Sequence, residues 1–562
     1  MCPGRLQTVI CPGYARCTPE PLMTFAINRR RLLLAGSAAL LAYSLPGRAL
    51  AQATSGFTHG VASGEPSQTS VVLWTRYLAP SPVRLRVEIA DDPAFQRIVL
   101  TGEAEASPAT DCCARAVVEG LTPGRWYHFR FVAPDGQASD TGRTRTLPDG
   151  DTENFRIAVF SCANGTSGWF NAYAHAAARD DIDLAIHTGD YIYESPLTRA
   201  DAQPGIAARR ALVPMHEIVA RADYRQRYAS YRLDPDLAEL HRRLPMIAVW
   251  DDHETANNSW RDGASAHDPA TEGPWSVRRA AGLRAWREWM PVRGDWYGSH
   301  RIGNLATLFR LETRLLGRSR QLDGDLDAIF EKGVSRQALD AFGAGPLADP
   351  TRAMMDSQQE AWLANGMRAS VASGERWQLL VQQVIMGALL FPRPNTAWFK
   401  GAAPPELMAE LQRRSAALDA GLPYSLDKWD GYPAARQRLY DAARTAGANL
   451  VTLTGDSHNA WSFDLADKTG PIGVEFAGQS ISSYGFERRF NGDAARLAAD
   501  FMATNPNLKW MDTSQRGYLT LDIRKDRIDT EYVFVPAMGG RSAAETGRKK
   551  LSVAHGARKL ET

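Results

Sequence analysis

Six near-continuous apolar runs in the second part of this 562-residue chain most constrain its fold. They are Phe155–Phe160, Ile182–Ile186, Met246–Trp250, Trp377–Val384, Leu450–Leu453 and Gly473–Ala477. Short runs that are apolar on both faces are typical of buried parallel strands, because helices cover both sides of such a sheet. Leu283, Trp286 and Met290 lie at helical spacing between two of the runs. We therefore expect a layered α/β domain, in which the long segments 195–245 and 260–350 form helical excursions or lids.

The segment before the first run has a different pattern, with short strands separated by turn residues. Val83–Ile89 alternates apolar and polar residues, which predicts a half-buried strand. Leu121–Tyr127 resembles a tyrosine corner, in which the tyrosine hydroxyl hydrogen-bonds to upstream backbone. These features predict an all-β sandwich of the immunoglobulin or fibronectin kind over residues 52–148. The segment carries no cluster of catalytic residues, so we expect it to be a structural or docking module.

The first 51 residues have the pattern of an export signal. Asn28–Arg31 carries consecutive arginines before the apolar run Leu32–Leu45, and Ala49–Ala51 is a small-residue cleavage site. The apolar run is too short to span a bilayer, which takes about 20 residues. The arginines resemble a twin-arginine signal peptide over residues 1–51, and predict export by the twin-arginine translocase to the periplasm or the exterior. Met23 is an alternative translation start.

Composition and missing motifs exclude several classes of protein. Lys and Arg number 65 against 63 Asp and Glu, so the chain has no basic excess of the kind that nucleic-acid-binding domains show. Six cysteines in this length do not build a disulfide scaffold. The sequence has no Gly-x-Ser-x-Gly elbow and no His-x-x-x-His pair, which argues against an α/β-hydrolase or a zincin. We expect a monomer without a nucleic-acid-binding domain or a transmembrane segment in its mature form.

Chemically reactive side chains follow four of the apolar runs. The four segments are Ser161–Asn164, His187–Glu194, Asp251–Glu254 with Asn257 and Asn258, and Gly455–Asn459. In α/β sheets the ligand crevice lies outside the carboxyl ends of the strands, so the four segments are expected to converge. This many carboxylates can ionise together only when cations lie among them. Two cations about 4 Å apart can clamp a phosphoryl group during in-line displacement.

Cys162 has two interpretations that the sequence alone leaves open. The thiol is either a metal ligand or a nucleophile, and a nucleophile needs an adjacent histidine or a helix N-terminus to lower its pKa. Thiolate and phenolate ligands suit iron, whereas Asp and Asn oxygens suit Ca²⁺ or Mg²⁺. We favour the ligand interpretation. Any single Asp in these segments could instead be a turn residue.

Three of these segments resemble the motifs of calcineurin-like metallophosphoesterases. Gly189–Tyr193 matches their Gly-Asp-x-x-Tyr box, Asp251–Glu254 stands where they carry Gly-Asn-His-Glu, and Gly455–His458 stands where they carry Gly-His-x-His. Cys162 after the first strand, and Asp456 in place of a histidine, are similar to the PhoD-type alkaline phosphatase/phosphodiesterase family. The sandwich and the twin-arginine leader fit the same family.

The resemblance implies a four-layer αββα core over residues 149–562 and a site with one Fe³⁺ and one or two Ca²⁺ ions. By position, the implied iron ligands are Cys162, Asp190, Tyr193 and His458, with Asp190 bridging to calcium. The implied ligands on the calcium side are Asp252, Asn257 and Asp456. His253 would be an electrostatic or proton-transfer partner near the leaving group. The implied nucleophile is a metal-bound hydroxide or oxide.

The function that the resemblance implies is that of an exported, metal-dependent alkaline phosphatase acting on phosphate monoesters and diesters. One alternative is a phospholipase D-like phosphodiesterase acting on phospholipid or teichoic-acid headgroups. Another is a surface-binding sandwich protein whose metal cluster is structural. Turnover of a monoester against a diester separates the first two functions. A variant in the metal site that keeps its biological role would favour the third.

Overall fold

The computed structural model describes residues 56–197 and 212–561, with Ile206 and Arg210 between these ranges. The predicted signal peptide lies outside the described residues. Within the described ranges, no helix combines the length and the apolar character that crossing a membrane requires.

The described residues form strands along most of the chain. The strands are β1 Gly56–Gly64, β2 Ser70–Leu78, β3 Val83–Ala90, β4 Ile98–Ala106, β5 Cys113–Glu119, β6 Trp126–Val132, β7 Gly142–Arg145, β8 Asn154–Phe160, β9 Leu184–His187, β10 Met246–Ala248, β11 Ser259–Trp260, β12 Gly263–Ala264, β13 Gly298–Ile302, β14 Ala306–Arg310, β15 Trp377–Val381, β16 Leu450–Thr454, β17 Ala460–Asp467, β18 Gly470–Ala477, β19 Leu508–Asp512, β20 Gly517–Arg524, β21 Arg527–Phe534 and β22 Gly547–Ala554.

The α-helices lie mainly between these strands. They are α1 Asn171–Ala177, α2 Arg221–Arg232, α3 Pro235–Arg243, α4 Pro269–Glu272, α5 Trp275–Trp289, α6 Asp323–Glu331, α7 Arg336–Phe342, α8 Ser357–Ala372, α9 Pro405–Asp419, α10 Pro433–Ala446 and α11 Ala494–Thr504. Helix α5 contains the predicted helical positions Leu283 and Trp286, and it ends just before Pro291, which cannot continue a helix without losing a backbone hydrogen bond.

The larger sheet has nine strands in the order β22-β21-β20-β8-β9-β10-β1-β2-β5. Strands β8, β9 and β10 are parallel and lie on the first three predicted apolar runs. Strand β1 continues the sheet by pairing in parallel with β10, where Gly64 is the partner of Met246. Strands from the N-terminal segment therefore extend the same sheet that carries β8 to β10.

The other N-terminal strands form a four-stranded sheet in the order β4-β3-β6-β7. One apolar cluster joins this sheet to β1, β2 and β5, and it includes Leu73, Val87 and Phe129. The hydroxyl of Tyr127 accepts a hydrogen bond from the backbone N–H of Thr122 at 2.9 Å. The predicted tyrosine corner is confirmed.

The second large sheet has seven strands in the order β13-β14-β15-β16-β18-β17-β19. It packs against the nine-stranded sheet through a buried cluster that includes Ile157 and Ile186 on one side and Leu379, Leu453 and Val474 on the other. Strands β13 and β14 lie in the segment 260–350, for which the sequence predicts helical excursions or lids. The sequence did not predict these two strands: β14 is buried along its length, but Thr307 and Arg310 interrupt its apolar run, and β13 is mostly polar.

Helices contribute to an apolar cluster at each of the two large sheets. Tyr228 of α2, Leu240 of α3 and Trp286 of α5 belong to the cluster under the nine-stranded sheet. Leu363 of α8 and Leu439 of α10 belong to the cluster under the seven-stranded sheet. The protein is therefore a mixed α/β structure with several sheets, and the carboxyl ends of β8, β9, β10 and β16 lead into the four reactive segments.

Candidate metal centre

Buried and partly buried ligand atoms from all four reactive segments meet beyond the ends of these strands. In each of three groups the atoms lie within 4.8 Å of one another. The groups are Cys162, Asp190 and His458; Asp190, Asp252 and His253; and Asp251, Asp252 and Asp456. Asp190 and Asp252 each belong to two groups, so the three groups form one continuous set. The predicted convergence of these side chains is confirmed.

The backbone is in a rare conformation at four of these residues. Cys162, Asp190, Asp456 and His458 have φ values of 59°, 56°, 60° and 61°. A sparsely populated backbone conformation costs a residue other than glycine about 1–3 kcal/mol, and such residues cluster at functional sites. These four residues therefore lower the stability of the folded protein, and the surrounding structure holds their side chains in place.

Two loops of the site touch each other directly. Gly189 has a φ of 105°, and a Cβ atom at this position would lie 2.4 Å from the Cβ of Asp251. The carboxylate of Glu254 accepts hydrogen bonds from the backbone N–H groups of Asp190 at 3.1 Å, of Asp251 at 2.7 Å and of Tyr191. The hydrogen bonds of Glu254 thus connect the loop after β9 to the loop after β10. Burial raises the pKa of this carboxyl to about 7.

His458 is held as a neutral imidazole. Its Nδ1 donates to the backbone carbonyl of Tyr484 at 2.7 Å, because a carbonyl oxygen can only accept. Its Nε2 then carries the free lone pair and lies 3.2 Å from the hydroxyl of Tyr193. Burial lowers the pKa of His458 to about 4. The imidazole is therefore oriented and unprotonated, as a metal ligand must be.

The surroundings of Cys162 disfavour a free thiolate. Its side chain is fully buried, and burial followed by the charges of Asp190 and Asp456 raises the pKa of the thiol well above its usual value. A cysteine nucleophile needs the opposite shift. A cation at the site would reverse the effect, since a coordinating thiol is deprotonated.

The buried carboxylates have oxygens without partners. Oδ1 of Asp190 and Oδ2 of Asp251 are buried and accept no hydrogen bond from the described residues. Burial raises the pKa of Asp190 well above its usual value, and Asp252 and Asp251 raise it further against the opposing charge of His253. Buried carboxylate oxygens without donors are costly unless cations neutralise them. Together with a thiol, a phenol and an imidazole, these atoms fit a metal centre.

Tyr193 lies between this set and a loop that the sequence did not single out. Its hydroxyl donates to Oδ2 of Asp190 at 2.9 Å and lies 2.7 Å from Oγ of Ser483. Ser483 in turn donates to the backbone carbonyl of Cys162 at 2.9 Å. The loop after β18 therefore contacts both the phenol of Tyr193 and the backbone of Cys162. No sequence signal marks Ser483, because a serine in a loop is usually a turn residue.

His253 forms a buried ion pair with Glu194, a residue absent from the predicted site. Its Nδ1 contacts Oε2 of Glu194, and its ring lies 4.2 Å from the ring of Tyr193. Burial opposes a charge on His253, but Glu194, Asp190 and Asp252 outweigh it and raise its pKa well above the usual value. Glu194 directly follows the Gly-Asp-x-x-Tyr box, which is the signal that could have identified it.

Asn257 lies beside the same glutamate. Its backbone N–H donates to Oε1 of Glu194 at 2.9 Å, and its side-chain nitrogen donates to Ser265 at 3.3 Å. The next residue, Asn258, donates its backbone N–H to Oδ2 of Asp252 at 2.6 Å. The role of Asn257 as a calcium ligand stays a prediction.

Arg314 lies on the acidic side of the site, and no sequence pattern indicated its role there. Its side chain is fully buried. Its guanidinium contacts Oδ1 of Asp251, both oxygens of Asp427 at 2.9 Å and Oδ1 of Asp456 at 3.1 Å. The ammonium of Lys428 lies 3.4 Å from the other oxygen of Asp456. The side chains of Arg314 and Lys428 thus already neutralise part of this carboxylate cluster.

The chain is similar to one protein family along most of its length. The PhoD-like phosphatase family model matches residues 157–532, and the model of the N-terminal domain of that family matches residues 43–148. Alkaline phosphatase D of Bacillus subtilis (strain 168) is 31% identical over 524 residues, which cover 88% of this chain and 80% of the relative. A solved structure of PhoD is 27% identical with a TM-score of 0.72, over 91% of this chain and 92% of that chain.

Proposed function

The chain belongs to the PhoD-like phosphatase family and is a phosphoric ester hydrolase, and we propose that it is an exported, metal-dependent alkaline phosphatase acting on phosphate monoesters and diesters. The observation that carries this proposal is the continuous set of buried and partly buried ligand atoms from Cys162 to Asp456. Buried carboxylates this close together are stable as anions only beside cations. A cationic centre in a crevice is what a phosphate ester requires for binding.

We propose that Cys162, Asp190, Tyr193 and His458 hold Fe³⁺, and that Asp190 extends to a Ca²⁺ side with Asp252. A thiolate, a phenolate and an imidazole suit iron, whereas carboxylate oxygens suit calcium. The unpartnered oxygen of Asp190 supports its role as a ligand in this centre. Asn257 and Asp456 are further ligands that the family resemblance implies. When bound, the cations would lower the pKa of a coordinated water and neutralise charge that develops on the phosphoryl group.

The contribution of His253 follows from its contacts. Its Nδ1 is committed to Glu194, so Nε2 is the atom that can hold a proton toward a leaving oxygen. The ring of Tyr193 packs against the imidazole and fixes its plane. The charge of Glu194 raises the pKa of His253 and so favours the protonated imidazole.

Glu194→Gln tests this arrangement through the pH profile. The negative charge of Glu194 raises the pKa of His253, so the neutral amide should lower that pKa. If the reaction needs protonated His253, the rate falls as the pH rises through this pKa, and the alkaline limb of kcat should move to lower pH by about one unit or more. The profile of kcat between pH 6 and pH 11, roughly the range between the reference pKa values of His and Lys, is the measurement. An unchanged alkaline limb in a folded variant would contradict the role of His253.

We also propose the finer architecture and the location that the sequence predicts. The apolar cluster between the two large sheets and the helices in the cluster at each sheet support a four-layer αββα core over residues 149–562. The cluster that joins the four-stranded sheet to β1, β2 and β5 supports a sandwich over residues 52–148. The leader supports twin-arginine export of a monomer to the periplasm or the exterior, with iron loaded in the folded chain before export.

Protein purified without added metal tests the function and the metals together. We expect about one iron per chain with calcium, a visible tyrosinate-to-iron charge-transfer band, and turnover of p-nitrophenyl phosphate. Chelation should lower kcat by about 100-fold or more, because a bound cation contributes several kcal/mol to stabilising the transition state. Adding both metals back should restore the rate.

A colourless, active protein that contains only zinc would contradict the iron assignment. Faster turnover of bis-p-nitrophenyl phosphate, with release of headgroups from phospholipid vesicles, would favour the phosphodiesterase alternative. Full metal content without turnover of either ester would favour the structural alternative.

A further inference from the structure

Arg232, the last residue of α2, is a buried arginine whose side chain has no hydrogen-bond acceptor. Its Nε, Nη1 and Nη2 atoms are all buried, and none has a hydrogen-bond partner among the described residues. Arg227 of the same helix is also fully buried, but it donates to the backbone carbonyls of Pro214 at 2.8 Å and Val213 at 3.2 Å. The other described arginines that are at most 1% exposed likewise donate to carbonyl or carboxylate oxygens; they are Arg278, Arg314 and Arg318.

Indole rings lie against this guanidinium. Its central carbon lies 4.1 Å from the ring centroid of Trp74 in β2, and the ring of Trp289 lies 5.8 Å from that of Trp74. The face of a ring attracts a cation but gives its N–H donors no lone pair to bind. The indole N–H of Trp289 is a second buried donor without an acceptor in the described part of the chain. Buried donors without acceptors are costly, so both groups point to a ligand that accepts hydrogen bonds.

The titratable side chains near Arg232 do not balance its charge. Burial raises the pKa of Cys113 and of Tyr191 and lowers that of His59 to about 3, while the nearby charge of Arg232 lowers all three pKa values. The three side chains are therefore a thiol, a phenol and a neutral imidazole. None of them carries a negative charge.

The carboxylates of this region are already paired with other arginines. Oδ1 of Asp111 lies 3.1 Å from Arg76, and Oε2 of Glu288 lies 2.7 Å from Arg225. Neither carboxylate accepts a hydrogen bond from Arg232. Breaking either ion pair to neutralise Arg232 would leave another arginine without its partner.

We propose that Arg232 binds a chloride ion in the buried junction between α2 and β2, at a structural anion site that does not belong to the metal centre. A halide supplies the missing negative charge and accepts several N–H donors at once. It is monatomic and carries a single charge, so it is easier to enclose among indole rings than a phosphate ion, whose desolvation costs more. The anion would join a helix of the catalytic part to a strand of the N-terminal segment, and this role is independent of the proposed phosphatase function.

Crystals soaked in sodium bromide test the site directly. We expect an anomalous bromide peak beside the guanidinium of Arg232 in the wild-type chain and no such peak in Arg232→Met. Water molecules at this position in place of bromide would overturn the proposal. Crystals soaked in sodium phosphate are the second arm, and phosphate density beside Arg232 without a bromide peak would overturn the choice of a halide.

Thermal unfolding tests the same site in solution. The wild-type Tm should be about 2 °C higher in sodium chloride than in sodium methanesulfonate of equal ionic strength, once chloride is in about 100-fold excess over its dissociation constant, because an ion that binds only the folded state stabilises it. Arg232→Met should have the same Tm in both salts. Arg227→Lys is the control on the same helix and should keep the chloride-dependent difference, because carbonyl oxygens already satisfy Arg227.

Equal wild-type Tm values in the two salts would overturn the proposal, as would a chloride-dependent difference that persists in Arg232→Met. If Arg232→Met does not fold, the bromide soak and the two-salt comparison of the wild-type chain decide the question without it. Neither measurement depends on turnover of a phosphate ester, so a failure of the proposed function would be seen separately, in the activity assay.

Discussion

Asp190→Asn is expected to lower kcat/KM for p-nitrophenyl phosphate by about 1,000-fold or more, the upper scale for removing one preorganised electrostatic group from an active site. Asp190 is the residue that links the Cys162 and His458 group to the Asp252 and His253 group. An amide cannot supply the negative charge that both proposed ions share. Iron and calcium content should fall together with activity, and elemental analysis of the variant measures this directly.

The control for Asp190→Asn is the same substitution in a buried carboxylate elsewhere. Asp522 in β20 is also buried and pairs with Arg156 at 3.1 Å and Arg524 at 2.7 Å. Asp522→Asn should lower stability slightly and leave kcat/KM within about twofold, since distant sites act independently. Asp190→Asn protein with normal metal content and more than a tenth of wild-type activity would contradict the bridging role.

His253→Ala is expected to lower kcat for phenyl phosphate by about 100-fold or more, within the range typical of general acid catalysis. The loss should be much smaller for p-nitrophenyl phosphate, because a good leaving group needs little help from a proton donor. The ratio of the two losses therefore reports proton transfer and is insensitive to a general structural defect. Rates across a series of phenols of increasing pKa are the measurement.

A second, partly buried histidine–glutamate pair offers the control. Nδ1 of His267 lies 2.9 Å from Oε2 of Glu272, outside the set of proposed ligands. His267→Ala should affect both substrates equally and weakly. An equal loss on good and poor leaving groups in His253→Ala would leave His253 with an electrostatic role and exclude proton donation.

Local sequence patterns predicted the strands that carry the site. Strands β8, β10 and β16 lie on the apolar runs that begin at Phe155, Met246 and Leu450, because a strand buried on both faces leaves a strong local signal. The pairing of β1 with β10 could not be predicted. It depends on Gly64 meeting Met246, where a Cβ on residue 64 would lie 2.7 Å from the Met246 carbonyl oxygen, and no local periodicity encodes such a long-range contact.

The residues of the site likewise fall into those that local sequence patterns predicted and those that they did not. Cys162, Asp190 and His458 could be predicted because each follows a buried strand, and the geometry of parallel strands brings such residues together. Arg314 could not, since a single arginine in a long segment between strands usually lies on a solvated surface. Its burial is explained only by carboxylates from three other parts of the chain.

The pairing of β1 with β10 has a consequence for how the protein can be divided. Strand β10 leads directly to Asp251, and β1 covers its open edge. A chain shortened to begin at residue 149 would leave the backbone groups of β10 unpaired at that edge, which is the kind of surface that aggregates. We therefore expect the two segments to fold together. A fusion protein or a recombinant with a relative must therefore include the N-terminal strands together with the catalytic part.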